Sequence, residues 1–156
     1  SINRFIDMGF SREQAINLGN VNKDMKFDAI FTSDLIRAIE SSNLAFPMYD
    51  KIIDSRLREC NYGDYDGKDK SLVIYDKHID NCFPNGESLK DVENRIREFI
   101  EYLKDNYDGK TVGIVAHRAP QLALDVILKG MTWEEANMND WRKNGDWQPG
   151  WEYNID

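Results

Sequence analysis

Thr111-Val112-Gly113-Ile114-Val115-Ala116, followed directly by His117-Arg118-Ala119-Pro120, is the stretch that decides the fold. Six residues without a charge, rich in β-branched side chains, are the mark of a strand buried on both faces, as in a parallel sheet covered by helices. A polar pair then interrupts the run, and Pro120 suits the first turn of a new helix. That helix carries Leu122, Val126 and Ile127 to a stop at Gly130.

Working outward, the same unit recurs upstream. Phe27-Asp28-Ala29-Ile30-Phe31 reads as a strand, and Thr32-Ser33-Asp34 supplies three N-cap candidates. Leu35, Ala38, Ile39 and Ser42 continue at helical spacing until Pro47. Before the Thr111 run, Ser88 and Asp91 form a capping-box pattern. Val92, Ile96, Phe99, Ile100 and Leu103 then lie on one helical stripe that Gly109 closes. The first twenty-odd residues read as a loop and then a helix opened by Ser11 with Gln14 three residues on. From about Asp54 to Gly86 no period is sustained, and the segment reads as a long excursion with short helical pieces; such segments often carry function. The order strand, helix, excursion, helix, strand, helix predicts an α/β fold: a mostly parallel sheet flanked by helices in three layers, and one domain over 1–156. Ligands of such sheets sit beyond the carboxyl ends of the strands. Thr32 to Arg37 and His117 to Arg118 occupy those ends.

Composition excludes several classes. With 156 residues and a formal charge of −8, and no clustering of Lys and Arg, the chain offers no stripe to neutralise a phosphate backbone. A phosphorylated ligand would need a local positive pocket. No apolar run is long enough to span a membrane and no leader pattern opens the chain, so a cytoplasmic protein is expected. Cys60 and Cys82 fit neither a C-x-x-C nor a zinc spacing and are read as reduced thiols. Asp64, Asp66 and Asp69 lack the Glu that would close a calcium loop. Trp133, Trp141, Trp147 and Trp151 are read as core or lid packing, and His78 as exposed.

Three residue types at the predicted sheet edge could carry chemistry. His117 ends a buried strand and precedes a helix whose first N–H groups can receive an anion; its imidazole titrates near neutrality. Arg118 adds charge beside it. Arg37 falls about one turn into the other helix, and a guanidinium can clamp two phosphate oxygens. Against each stands an ordinary reading, a satisfied strand-end histidine and solvated arginines. Glu59, in Leu57-Arg58-Glu59, is by default a surface carboxylate; as a proton donor it would need a raised pKa.

Four segments together resemble the histidine phosphatase, or phosphoglycerate mutase-like, superfamily: Thr32-Ser33-Asp34-Leu35-Ile36-Arg37-Ala38, Leu57-Arg58-Glu59 with Gly63 and Gly67, Pro84-Asn85-Gly86-Glu87-Ser88, and Ile114-Val115-Ala116-His117. They come in that family's order. The Trp147-Gln148-Pro149-Gly150-Trp151-Glu152-Tyr153 tail is similar to one branch of it. The resemblance implies a metal-independent phosphatase, with no cofactor, acting on a small phosphomonoester through a phosphohistidine. Arg37 and Arg118 would bind substrate, Glu59 would protonate the leaving group, and His117 would hold the transferring phosphoryl group. Mutases of this family usually carry longer insertions, so hydrolysis is favoured.

Two departures matter. Arg118 stands where many members have Gly. The family's Arg-His-Gly segment, which supplies the nucleophilic histidine from the first, central strand, is matched by neither His78 nor His117. The first strand is therefore expected to be missing or replaced. The nucleophile is expected upstream of a chain that starts at Ser1 and not Met, or else the strand comes from this chain's own loop, a partner or a homodimer mate. The alternative function is a catalytically inactive relative that binds phosphate or phosphoproteins.

Overall fold

The computed structural model describes residues 2–7, 11–69, 72–144 and 150–155. The elements run β1 (Ile2–Asp7), α1 (Arg12–Val21), β2 (Ala29–Thr32), α2 (Ile36–Ala45), β3 (Lys51–Ile53), α3 (Leu89–Asn106), β4 (Val112–Ala116), α4 (Arg118–Lys129), α5 (Trp133–Met138) and β5 (Trp151–Asn154). They build a five-stranded sheet in the order β3-β2-β4-β1-β5. The pairs β2–β3, β2–β4 and β1–β4 are parallel, and β5 runs antiparallel to β1.

The expected α/β architecture is thus present, with β2 and β4 parallel neighbours in a register that sets Ile30 against Gly113 and Phe31 against Ile114. Both strands are buried along their whole length. Side chains alternate faces along a strand. Ile30 and Val115 accordingly pack with Leu18, Ala38 and Phe46 under α1 and α2. Phe31 and Ile114 pack with Leu89, Phe99 and Leu122 under α3 and α4. Two apolar layers around one sheet explain why these strands read as continuous apolar runs.

Two readings need correction. The opening segment is not a loop: Ile2–Asp7 forms β1, which lies between β4 and β5, so this chain's own opening segment fills the first strand's place, one of the replacements expected. The α2 N-cap is Leu35, with no side-chain cap, and not one of Thr32, Ser33 or Asp34. Those side chains are engaged elsewhere: Ser33 lies against His117, and Asp34 accepts from Arg58 Nε at 2.7 Å. The capping boxes at Ser11–Gln14 and Ser88–Asp91 form as expected.

The excursion is held by its aromatic rings. Phe83 is fully buried among Tyr62, Tyr65 and Tyr75. The His78 ring stacks on Phe83 at 4.0 Å, so this histidine is half-buried and not exposed as its polar neighbours suggested. Gly63, at φ +55°, and Gly86 let two loops touch: a Cβ on Gly63 would collide with the Pro84 carbonyl, and one on Gly86 with that of Asn61. The backbone bonds Asp64 N to Pro84 O (2.8 Å) and Glu87 N to Asn61 O (2.7 Å) seal the contact. Trp133 is buried, its indole N–H donating to Glu93; Trp147 lies outside the described residues, as does the Trp141 side chain. Both cysteines are free thiols, and burial pushes that of Cys60 up. Among the described residues no helix is long and apolar enough to cross a membrane.

Candidate functional site

Parallel pairing brings the polar ends of β2 and β4 to one edge of the sheet. Ser33 follows β2, and its N–H donates to the Val115 carbonyl on β4 (2.9 Å). His117 follows β4 as N-cap of α4, with extended backbone. The two side chains meet across the edge, His117 Nε2 to Ser33 Oγ at 2.9 Å, both buried.

The excursion delivers Glu59 to the same place. One carboxylate oxygen accepts from the N–H of Cys60 (2.8 Å) and from the N–H of Ala119 (3.1 Å) in the first turn of α4. His117 does not cap this helix with its side chain, so Glu59 does from another segment, where a carboxylate is favoured. Arg37 sits in the first turn of α2, exposed, and near enough to press its charge on the imidazole. The structure therefore brings His117, Glu59 and Arg37 to one edge. Arg118 turns into the body of the fold. Its Nε donates to Asp140 (2.8 Å), one terminal nitrogen donates to Asn137 (3.1 Å), and the guanidinium lies 3.8 Å from the Tyr75 ring centroid.

Burial drives the His117 pKa down to about 3; Arg37 and Arg95 push the same way, and Asp34 opposes them weakly. The ring is neutral at pH 7. Its folded pKa lies below the ordinary 6.5, so the unfolded chain binds the proton first and stability falls as pH drops below 6.5. Between pH 6.5 and 5, above the carboxylate range, His117 should contribute a loss of roughly 1–2 kcal/mol. Urea melts at several pH values check this. The slope should flatten in His117→Asn, and an unchanged slope would contradict the depressed pKa.

Reasoning from sequence missed Arg95. This α3 residue donates from one terminal nitrogen to the carbonyls of Arg56 and Arg58 (2.8 Å each). The other donates to the Glu59 carbonyl (3.2 Å) and to Glu87 (2.9 Å), and Nε completes a two-pronged pair with Glu87 (3.1 Å). Glu87 in turn accepts from the N–H of Asn61 at 2.9 Å. The clamp fixes the backbone that presents Glu59. A signal was there: Arg95 interrupts the apolar stripe, three residues after Val92 and four before Phe99.

Comparison with known proteins identifies the family and the fold. Residues 10–149 match the model of the histidine phosphatase superfamily (branch 1). The chain is 36% identical over 109 residues to the fructose-2,6-bisphosphatase TIGAR of Xenopus tropicalis, covering 62% of this chain and 39% of that protein. It is 30% identical over 145 residues to a 2,3-bisphosphoglycerate-dependent phosphoglycerate mutase of Methylobacterium sp., covering 82% and 70%. Among solved structures, YhfR of Bacillus stearothermophilus superposes with a TM-score of 0.75 at 23% identity, over 86% of this chain and 83% of that one. The α-ribazole phosphatase of Shigella flexneri gives 0.72 at 22%, over 88% and 84%. The chain spans well under half the length of the frog relative.

Proposed function

The chain belongs to the histidine phosphatase superfamily, and on that premise we propose that it is the phosphate-handling body of a metal-independent phosphatase that hydrolyses a small phosphomonoester through a phosphohistidine. Hydrolysis is proposed over phosphoryl transfer between substrates, although the relatives include both phosphatases and mutases. The nucleophile is a histidine in an Arg-His-Gly segment upstream. For that histidine to reach the phosphate beside His117, its strand has to displace β1 from its place next to β4, because β2 takes the other side.

In this reading Arg37 clamps the non-bridging oxygens and stabilises their charge as the loose phosphoryl group passes. His117, neutral and buried, donates one hydrogen bond to the same group. Glu59 in its protonated form gives its proton to the leaving oxygen and, now a carboxylate, takes one back from the water that resolves the phosphohistidine. Arg118 makes no contact with substrate in this reading; its hydrogen bonds hold Asp140 and Asn137. The protein works in the cytoplasm on a small substrate, without a cofactor.

The observation that carries the reading is the meeting of an exposed arginine, a buried neutral imidazole and a carboxylate on a helix N-terminus at one sheet edge. Inorganic phosphate tests it. The chain should bind phosphate with Kd of about 1 mM, and Arg37→Ala or His117→Ala should weaken binding about tenfold, the size of one charge-assisted hydrogen bond. Phosphate binding that both variants leave unchanged would remove the site from this edge.

A further inference from the structure

The hydrogen bond between Ser33 and His117 can run in either direction, and the surroundings decide which. Ser33 Oγ already accepts from the N–H of Leu35 at 3.3 Å. The hydroxyl is completely buried, and its single proton has one acceptor within reach among the described residues, Nε2 of His117 at 2.9 Å. If the imidazole donated from Nε2 instead, the serine proton would be left buried with nothing to receive it, which proteins avoid. With the hydroxyl donating, both atoms of the contact are satisfied: Oγ accepts from Leu35 and donates to Nε2, and Nε2 accepts. The ring is then neutral, with its proton on Nδ1, and no described residue uses that nitrogen in a hydrogen bond.

We propose that Ser33 is a positioning residue: it donates to Nε2, locks His117 as the Nδ1–H tautomer, and so turns the histidine into a fixed hydrogen-bond donor for an anionic oxygen. The lock explains how a histidine can serve a phosphate site without being a cation. Protonating Nε2 would deprive the serine proton of its one acceptor among the described residues. It would also add a third positive charge near Arg37 on α2 and Arg95 on α3, which Asp34 after β2 only partly opposes. Neutrality leaves the charge of the phosphoryl group to the arginine, while the imidazole supplies direction. The tautomer stands on geometry alone; its use toward phosphate rests on the phosphatase reading.

The chain has two histidines, which makes the test direct. With 15N-labelled histidine, the imidazole spectrum at pH 7 should show His117 with a pyrrole-type Nδ1 and a pyridine-type Nε2, unchanged down to pH 5, and His78 serves as the internal reference. Ser33→Ala should produce a mixture of tautomers and raise the pKa of the ring by about one unit, because the neutral form has lost its donor. Ser33→Thr, which keeps the hydroxyl, should restore the single tautomer. A protonated Nε2 in the unmodified chain, or a pure Nδ1–H tautomer persisting in Ser33→Ala, would overturn the proposal. The first of these needs no variant to fold. Titration with inorganic phosphate should then shift Nδ1. If the tautomer is as stated but Nδ1 ignores phosphate, the lock stands and its use at a phosphate site fails, together with the reading it rests on.

Discussion

Phosphate release from an aryl phosphate should be negligible for this chain alone and should rise about a millionfold when an upstream strand bearing Arg-His-Gly is joined to it. Removing a covalent nucleophile costs an enzyme on that order, because the remaining groups still bind but have no route to break the bond. His117 is a poor substitute. Its ring is buried against Ser33 beside the helix that Glu59 caps, and in the proposed mechanism it steadies the phosphoryl group while the upstream histidine attacks. In the completed enzyme His117→Ala should lower the rate by about 10²–10³, as loss of one donor to developing charge does. Robust turnover by the chain alone that vanishes in His117→Ala would make His117 itself the nucleophile and overturn the account.

Arg95→Met should be the most damaging single substitution away from the sheet edge. Methionine keeps much of the stem but removes all five hydrogen bonds and leaves the half-buried Glu87 carboxylate and three carbonyls without their donor. Breaking a largely buried ion pair from one side costs about 3–5 kcal/mol. Arg95→Lys should recover only part of this, since an ammonium cannot reproduce the planar fork. Urea denaturation followed by tryptophan fluorescence measures both. A loss below about 1 kcal/mol in Arg95→Met would show that the loops carrying Glu59 and Glu87 hold each other without the clamp.

The fold was legible where burial is two-sided. β2 and β4 are apolar along their whole length because helices cover both faces, so their runs identified a parallel sheet before any contact was known. The α3 stripe was legible for the complementary reason, one face in and one out. β1 escaped because Ile2-Asn3-Arg4-Phe5-Ile6-Asp7 mixes charged and apolar residues and shows no run. Pairing with β4 and β5 makes it a strand, and that is a long-range fact. His78 was misjudged for a similar reason: its local polarity says surface, and the Phe83 ring that shelters it lies in another turn of the excursion.

At the site, His117, Arg37 and Glu59 could be named from motif and position, but not what holds them. Ser33 was visible only as an N-cap candidate, because its partner is 84 residues away in the chain. Arg95 reaches back 36 to 39 residues to the backbone that carries Glu59. Arg118 shows the converse. Adjacency to His117 suggested a shared ligand, yet the first turn of α4 points it toward Asp140 and Asn137.

The most direct test of the account is to find the phosphoryl group on the protein. The chain joined to an upstream Arg-His-Gly strand is mixed with an aryl phosphate, quenched within a turnover under denaturing alkaline conditions that preserve phosphohistidine, and digested for mass spectrometry. One added phosphoryl group is expected on the peptide holding the upstream histidine, and none on the His117 peptide of either the extended or the unextended chain. A phosphoryl group on His117, or full activity with no phosphohistidine at all, would contradict the account.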